Sequence, residues 1–383
     1  MKATQELHDL GQSLWLDNIT RDLLDSGALK RYIDELSVTG LTSNPTIFEH
    51  AISGSESYDA EISRLQSGGL SGEELFFELA LQDLTRAADL FASVHDRTAG
   101  NDGFVSLELS PLLAYDAAGS LTAAARLHKK ANRSNLFIKI PGTKEGNGAI
   151  EAAIAAGISI NVTLLFSRQQ YLESADAYMR GLERRIDAGL SPDIRSVASV
   201  FVSRWDGATI GRVPERLRDT LGIAIGKQIY KAYRDTLDSD RWQRLASFGA
   251  RPQKLLFAST GTKDPKASDV LYISGLAAPN TINTMPEKTL LAFADHGQLT
   301  GTLPRDGGDC EAVLEDFRKA GLDLEQLAAE LQASGAKSFD ESWRSLLSAI
   351  ESRGSRLTLA PRPISPAAGN PSEPSSPPES GRK

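Results

Sequence analysis

A single cysteine, Cys310, occurs in 383 residues, so no internal disulfide can form and a reducing compartment is expected. No apolar run approaches the ~18 residues of a membrane-spanning helix. The N-terminus, MKATQELHDL, lacks the apolar centre of a signal peptide. A soluble, cytoplasmic protein is therefore expected. The Asn-x-Ser/Thr triplets at Asn18, Asn132 and Asn161 then carry no glycan. Excess positive charge is also missing. A net charge of -8 argues against general affinity for nucleic acid or an anionic membrane surface. The histidines, His8, His50, His95, His128 and His296, are scattered, with no His-Glu-x-x-His spacing, so no metal is expected. No histidine lies near Cys310 in sequence, which removes the usual thiol nucleophile. Gly-Thr-Lys occurs at Gly142–Lys144 and Gly261–Lys263, without the upstream glycine of a phosphate-binding Walker loop. No Gly-x-Gly-x-x-Gly follows the first strand-like segment. No cofactor is expected.

What is present is ordinary for a globular chain: 40% hydrophobic and 24% charged residues. Eight segments read as strands: 13–17, 38–41, 103–109, 136–140, 157–162, 196–202, 254–258 and 280–285. The last is preferred to a weaker candidate at 272–275. Helical patterns fall between them, at 20–30, over most of 54–100, and at 120–132, 143–156, 167–188, 205–238 and 240–247. Others follow the last strand, near 286–295, 310–320, 323–333 and 339–351. Leu75, Phe76, Leu79, Leu84, Ala87, Ala88 and Phe91 form a core-facing stripe behind a capping box at Ser71–Glu74. Strands alternating with helices predict a parallel α/β fold, and eight of them a closed (β/α)8 barrel with extra helices over residues 1–355. An open doubly wound sheet is the alternative. From Arg356 the composition changes. Seven of the 17 prolines fall between Pro361 and Pro378 among serines and glutamates, so residues 356–383 are expected to be a disordered Pro/Ser-rich tail.

The segment Asn135–Thr143, NLFIKIPGT, holds the centre of the pattern. Its near-continuous apolar run suits a strand buried on both faces. Lys139 lies within it, where burial disfavours an ammonium and favours the neutral amine of a Schiff-base nucleophile. The plain alternative is a lysine that snorkels from a strand end to water. The other strands decide between them. Their C-terminal ends carry Asp17, Asn44, Glu108, Asn161 with Thr163, Ser199 with Arg204, and Ser259 with Lys263. A barrel brings these ends to one face, and each polar group would be costly in an apolar core without a partner. A neutral amine attacks a ketone and forms an imine, which allows the neighbouring carbon–carbon bond to break. The two carboxylates can divide the proton transfers. Asn44 and Asn161 can hold hydroxyl groups. Arg204, Lys263 and Ser259 follow strands six and seven, where barrels bind phosphate. A phosphorylated sugar fits.

Several runs closely resemble transaldolases: Ser13–Asn18 (SLWLDN), Thr39–Pro45 (TGLTSNP), Phe137–Pro141 (FIKIP), Ile160–Ser167 (INVTLLFS) and Ser199–Arg204 (SVFVSR). The resemblance implies a class I aldolase-type TIM barrel of the pentose phosphate pathway. It implies transfer of a dihydroxyacetone unit from sedoheptulose 7-phosphate to glyceraldehyde 3-phosphate, giving erythrose 4-phosphate and fructose 6-phosphate. On this resemblance Lys139 is the Schiff-base lysine and Asp17 the acid/base for carbon–carbon cleavage. Glu108 with Thr163 positions the water of imine formation. Asn44, Asn161 and Ser199 hold the dihydroxyacetone hydroxyls, while Arg204 and Ser259 bind phosphate. The match departs at Gly261, where many relatives carry an arginine, and Lys263 is expected to supply that charge. Two other readings remain: a fructose 6-phosphate aldolase, which releases dihydroxyacetone freely, and a sugar-phosphate-binding barrel without catalysis. Phe201 stands where the aldolase relatives carry a tyrosine, which favours transfer. Sugar phosphates are the expected partners of a monomer or homodimer.

Overall fold

The computed structural model describes residues 2–359. Eight parallel strands close into one barrel in sequence order: β1 Gln12–Asp17, β2 Val38–Thr42, β3 Val105–Glu108, β4 Leu136–Pro141, β5 Ile160–Leu165, β6 Ser196–Phe201, β7 Gln253–Ala258 and β8 Thr281–Met285. Each pairs with the next, and β8 returns to β1 with Leu14 opposite Asn283 and Leu16 opposite Met285. This is the expected barrel rather than the open sheet. The strands are buried almost throughout, because helices cover the outer face while side chains fill the interior. Gly40 permits one close approach. A Cβ there would meet the Trp15 indole at 2.5 Å, and that indole donates from Nε1 to Asp102 at 2.9 Å.

Several elements differ from the sequence expectation. The first helical segment is two helices, Arg21–Asp25 and Ala28–Leu36, because Gly27 takes a left-handed conformation (φ 70°) between them. Ser71 precedes the Gly72–Arg97 helix, but its side chain makes no cap bond, so the expected capping box is not formed. Strand five lies three residues further on than its apolar signal, ending at Leu165. The expected helix 205–238 is interrupted around Pro214 into Ser203–Thr209, a 3-10 turn and Leu221–Asp238. The weaker strand candidate is a helix, Leu271–Gly275, and the preferred one is β8. A short helix, Ala3–Asp9, precedes β1 without having been expected.

The two C-terminal patterns are one 36-residue helix, Leu324–Leu359, which runs on through Gly335. It crosses the face at the C-terminal ends of the strands. Gln332 donates to the carbonyl oxygens of Gly142 and Leu164 at 3.1 and 3.0 Å. Leu164 offers that oxygen because β5 is irregular there: its φ is 59°, and the register with β6 shifts between Val162 and Leu165. Thr46 donates to Ser342 at 2.8 Å, and Arg353 donates to the Ile52 carbonyl and to Asp59. The expected tail begins within the last turns of this helix, and its residues from 360 onward lie outside the described residues. No helix among the described residues is long and apolar enough to cross a membrane.

Candidate active site

Strand register places the central groups side by side. Glu108 of β3 is opposite Lys139 of β4, which is opposite Asn161 of β5. The Lys139 ammonium, 5% exposed, donates to Glu108 Oε2 at 3.0 Å and to the Ser43 carbonyl at 3.1 Å. Lys139 therefore does not snorkel to water. Its burial is offset by an acidic partner and a carbonyl oxygen. A pair this enclosed adds little net stability, because removing two ions from water costs several kcal/mol each. Burial raises the Glu108 carboxyl above its usual range, against the pull of Lys139. Asp17, at the end of β1, is likewise raised by loss of water, and is drawn down by Lys139 and by a 2.7 Å hydrogen bond from Thr42. Both carboxyls are held above their usual range beside one buried lysine, an arrangement typical of sites that move protons.

A cavity of about 510 Å³ opens above Lys139 at the C-terminal ends of the strands. Of the residues singled out from the sequence, Lys139, Asp17, Asn44, Ser199, Arg204, Ser259 and Lys263 line it. Asn44 is pinned because its Oδ1 accepts from the Ile47 N–H at 3.1 Å and caps the Pro45–Gly54 helix. Its amide NH₂ is left for a ligand. Ser199 donates to Asn161 Oδ1 at 2.7 Å, and Asn161 donates to Ser106 at 3.0 Å. Asn161 is thus buried behind Ser199 rather than on the cavity wall. Glu108 is also behind the wall and acts on Lys139 directly. Thr163 lies two residues beyond Asn161, opposite Pro141, with its hydroxyl buried and without a protein partner. The expected pairing of Glu108 with Thr163 has no direct contact among the hydrogen bonds.

The far side of the cavity is cationic. Arg204 lies on the Ser203–Thr209 helix after β6, its guanidinium 5.2 Å from the centre of the Phe201 ring. Burial lowers it from its ordinary value, against the attraction of Glu108. Lys263 is lowered too, first by desolvation and then by the like charges of Arg204 and Lys288. Among the described residues neither Arg204 nor Lys263 has a carboxylate within ion-pair distance, so the mouth is set to receive an anion. Ser259 sits at φ 53°, a conformation unusual for a residue with a side chain, and its hydroxyl is 3.0 Å from that of Ser203. At Gly261 an added Cβ would touch Pro286 Cγ at 3.2 Å.

Other lining groups were not expected from the sequence. Thr42 and Thr284 join hydroxyls at 2.6 Å beside Asp17. His50 and Ile47 come from the helix after β2, and Phe339 from the Leu324–Leu359 helix. Thr42 lies inside the TSNP run already noted, so attention to hydroxyls next to Asn44 would have found it. Phe339 has no such signal. All five histidines are helical, Cys310 is buried, and no three His, Cys, Asp or Glu side chains group as a metal site among the described residues.

Fold and site together have the make-up of the aldolase-type barrels, in which an enclosed lysine amine works between two acids. The family described as transaldolase/fructose-6-phosphate aldolase matches residues 14–350. A protein of Thiobacillus denitrificans named transaldolase is 44% identical over 360 residues, covering 91% of this chain and all of the relative. Proteins of the same name from an Arthrobacter species and from Neisseria gonorrhoeae are 43% and 40% identical, covering 91% of this chain and 96% and 100% of theirs. The chain belongs to the transaldolase/fructose-6-phosphate aldolase family.

Proposed function

We propose that this protein is a transaldolase, a transferase that moves a dihydroxyacetone unit from sedoheptulose 7-phosphate to glyceraldehyde 3-phosphate through a Schiff base on Lys139. Erythrose 4-phosphate and fructose 6-phosphate are the products. The carrying observation is the Lys139 amine, 5% exposed and 3.0 Å from Glu108, beneath a cavity that Asp17 also lines. The amine adds to the ketose carbonyl carbon, and the carbinolamine loses water as Glu108 takes and returns protons. Asp17 accepts the proton of the hydroxyl on the far carbon of the breaking bond. The bond electrons pass into the imine and leave an enamine. The aldose leaves, an aldehyde acceptor enters, and the steps reverse. Asn44, Ser199 and the Asn161 behind it suit the hydroxyls of the three-carbon unit. Arg204, Ser259 and Lys263 suit the phosphate, with Lys263 carrying the charge that Gly261 lacks. Thr163, with its unpaired hydroxyl, suits the water of imine formation. The protein works in the cytoplasm on free sugar phosphates, with neither nucleic acid nor membrane as a partner.

Phe201 on the cavity wall favours transfer over free release, since a phenyl ring has no proton to give the enamine. The test is borohydride reduction in the presence of fructose 6-phosphate, followed by mass spectrometry. The expected adduct is on Lys139 and is absent in Lys139→Ala. Turnover of fructose 6-phosphate is expected to require erythrose 4-phosphate. Fast turnover without it identifies the aldolase. Binding without any adduct identifies a non-catalytic barrel.

A further inference from the structure

The Leu324–Leu359 helix lies outside the barrel repeat, yet one of its side chains reaches the site. Phe339 is 5% exposed and lines the cavity. The centre of its ring is 5.9 Å from Lys139 Nζ and 5.9 Å from the Arg204 guanidinium carbon. It therefore spans the space between the amine and the cation that suits the phosphate. Its position is imposed. Gln332, Gly335, Phe339 and Ser342 fall on one helix face, at offsets of three, four and three residues. Gln332 is bonded to Gly142 and Leu164, and Ser342 to Thr46. At Gly335 a Cβ would stand 2.9 Å from Leu164 Cδ2 and 3.2 Å from Arg204 Nη1, so the glycine lets the helix approach.

We propose that Phe339 is a specificity-determining residue: its ring roofs the enamine formed on Lys139 and directs the three-carbon unit to an aldehyde instead of to water. This rests on the transaldolase reading. The enamine has two fates. In transfer, its nucleophilic carbon forms a bond to the acceptor carbonyl carbon, whose oxygen takes a proton from Asp17. Water then adds to the iminium and releases the new ketose with the free lysine. In leakage, the same carbon takes a proton from solvent. Water then adds to that iminium and releases dihydroxyacetone with the free lysine. Both routes balance with one water, and they differ in whether an aldehyde or a proton meets the carbon first. A ring held over the amine excludes the proton source, and Phe201 presents a second face without a donor. The ring also lies within cation–π range of the nitrogen that carries the positive charge of the iminium.

The experiment compares wild type, Phe339→Ala, Phe339→Leu and Gln332→Ala. The rate of dihydroxyacetone release from fructose 6-phosphate alone is divided by the rate of transfer to erythrose 4-phosphate. Phe339→Ala is expected to raise this ratio at least tenfold. Phe339→Leu keeps apolar bulk but loses the flat face, and is expected to raise it about threefold, which preserves the test if the alanine variant does not fold. Gln332→Ala keeps the ring and removes one anchor of the helix that holds it, so its ratio is expected to rise less than in either Phe339 variant. Rates that fall together at constant ratio in the Phe339 variants overturn the proposal, as does an equal rise in Gln332→Ala. Wild type is also trapped with borohydride. Absence of a Lys139 adduct there defeats the transaldolase reading itself. An adduct with an unchanged ratio in the variants defeats only the roof.

Discussion

At the scale of single residues, the candidate site is set by two carboxyls and one buried lysine beneath one cavity. In the proposed mechanism Asp17 accepts a proton and must be ionised to do so, while burial holds its carboxyl above the usual range. Three influences work the other way: the charge of Lys139, the Thr42 hydroxyl at 2.7 Å and the charge of Lys263. Thr42→Val keeps the shape and removes that hydroxyl. With one lowering influence gone, the Asp17 carboxyl climbs further, and its basic form appears only at higher pH. The acid limb of kcat/KM is then expected to move to higher pH, because the hydroxyl that stabilises the ionised carboxylate is gone. The plateau at higher pH is expected to change less. A pH–rate profile of both proteins checks this, reported as apparent values of the coupled set. An unmoved limb would show that Thr42 does not tune the base. Lys139, Asp17 and Glu108 were legible in sequence because charged residues at the ends of apolar strands are unusual. Thr42 and Thr284 were not, since threonine is an ordinary strand residue and carries no such contrast.

At the scale of elements, the sequence period identified the strands better than the breaks between helices. The apolar run ended by Pro141 and Gly142 marks β4 clearly, whereas β5 begins after its apolar signal because Gly157 (φ 88°) and Ile158 close the preceding helix, Ile158 donating to the Ala153 carbonyl at 2.9 Å. The last helix was read as two pieces because Gly335 falls where its periodicity weakens. Packing overrides that local weakness, for the glycine is the point of closest approach to Leu164 and Arg204. Gly335→Ala separates propensity from fit. Alanine gains up to about 1 kcal/mol of helix propensity, while its Cβ presses on two movable side chains. Thermal stability is expected to shift by only a few degrees, and KM for phosphorylated substrates to rise several-fold as Arg204 is displaced. Thermal melts and steady-state kinetics measure both. An unchanged KM would mean the helix lifts without disturbing the cation.

At the scale of the whole molecule, the barrel carries the candidate site and the terminal helix completes its enclosure. Truncation after residue 359 is expected to leave kcat and KM within about twofold of wild type, since all the residues of the candidate site described above precede it. Truncation after residue 323 removes Phe339 and the anchors at Gln332, Ser342 and Arg353 together. It is expected to abolish transfer, even where the barrel still folds by circular dichroism. Retained transfer in the shorter protein would remove the helix from any functional role. The net charge of -8 leaves the cationic mouth as a local exception in an acidic molecule. Sugar phosphates are thereby favoured at one place without general affinity for polyanions.

The seam of the barrel joins Gln12–Leu16 to Thr281–Met285. Asp17 and Thr284 therefore become neighbours only when the final strand has left the ribosome, and Phe339 follows more than fifty residues behind it. Lys139 is synthesised long before its enclosure exists, and a nascent chain carries it as one solvated ammonium among many. Carbonyl metabolites in the surrounding fluid meet no specially reactive amine during translation. On the proposed role, the enclosure that makes Lys139 reactive arises only with ring closure, a long-range step that comes late.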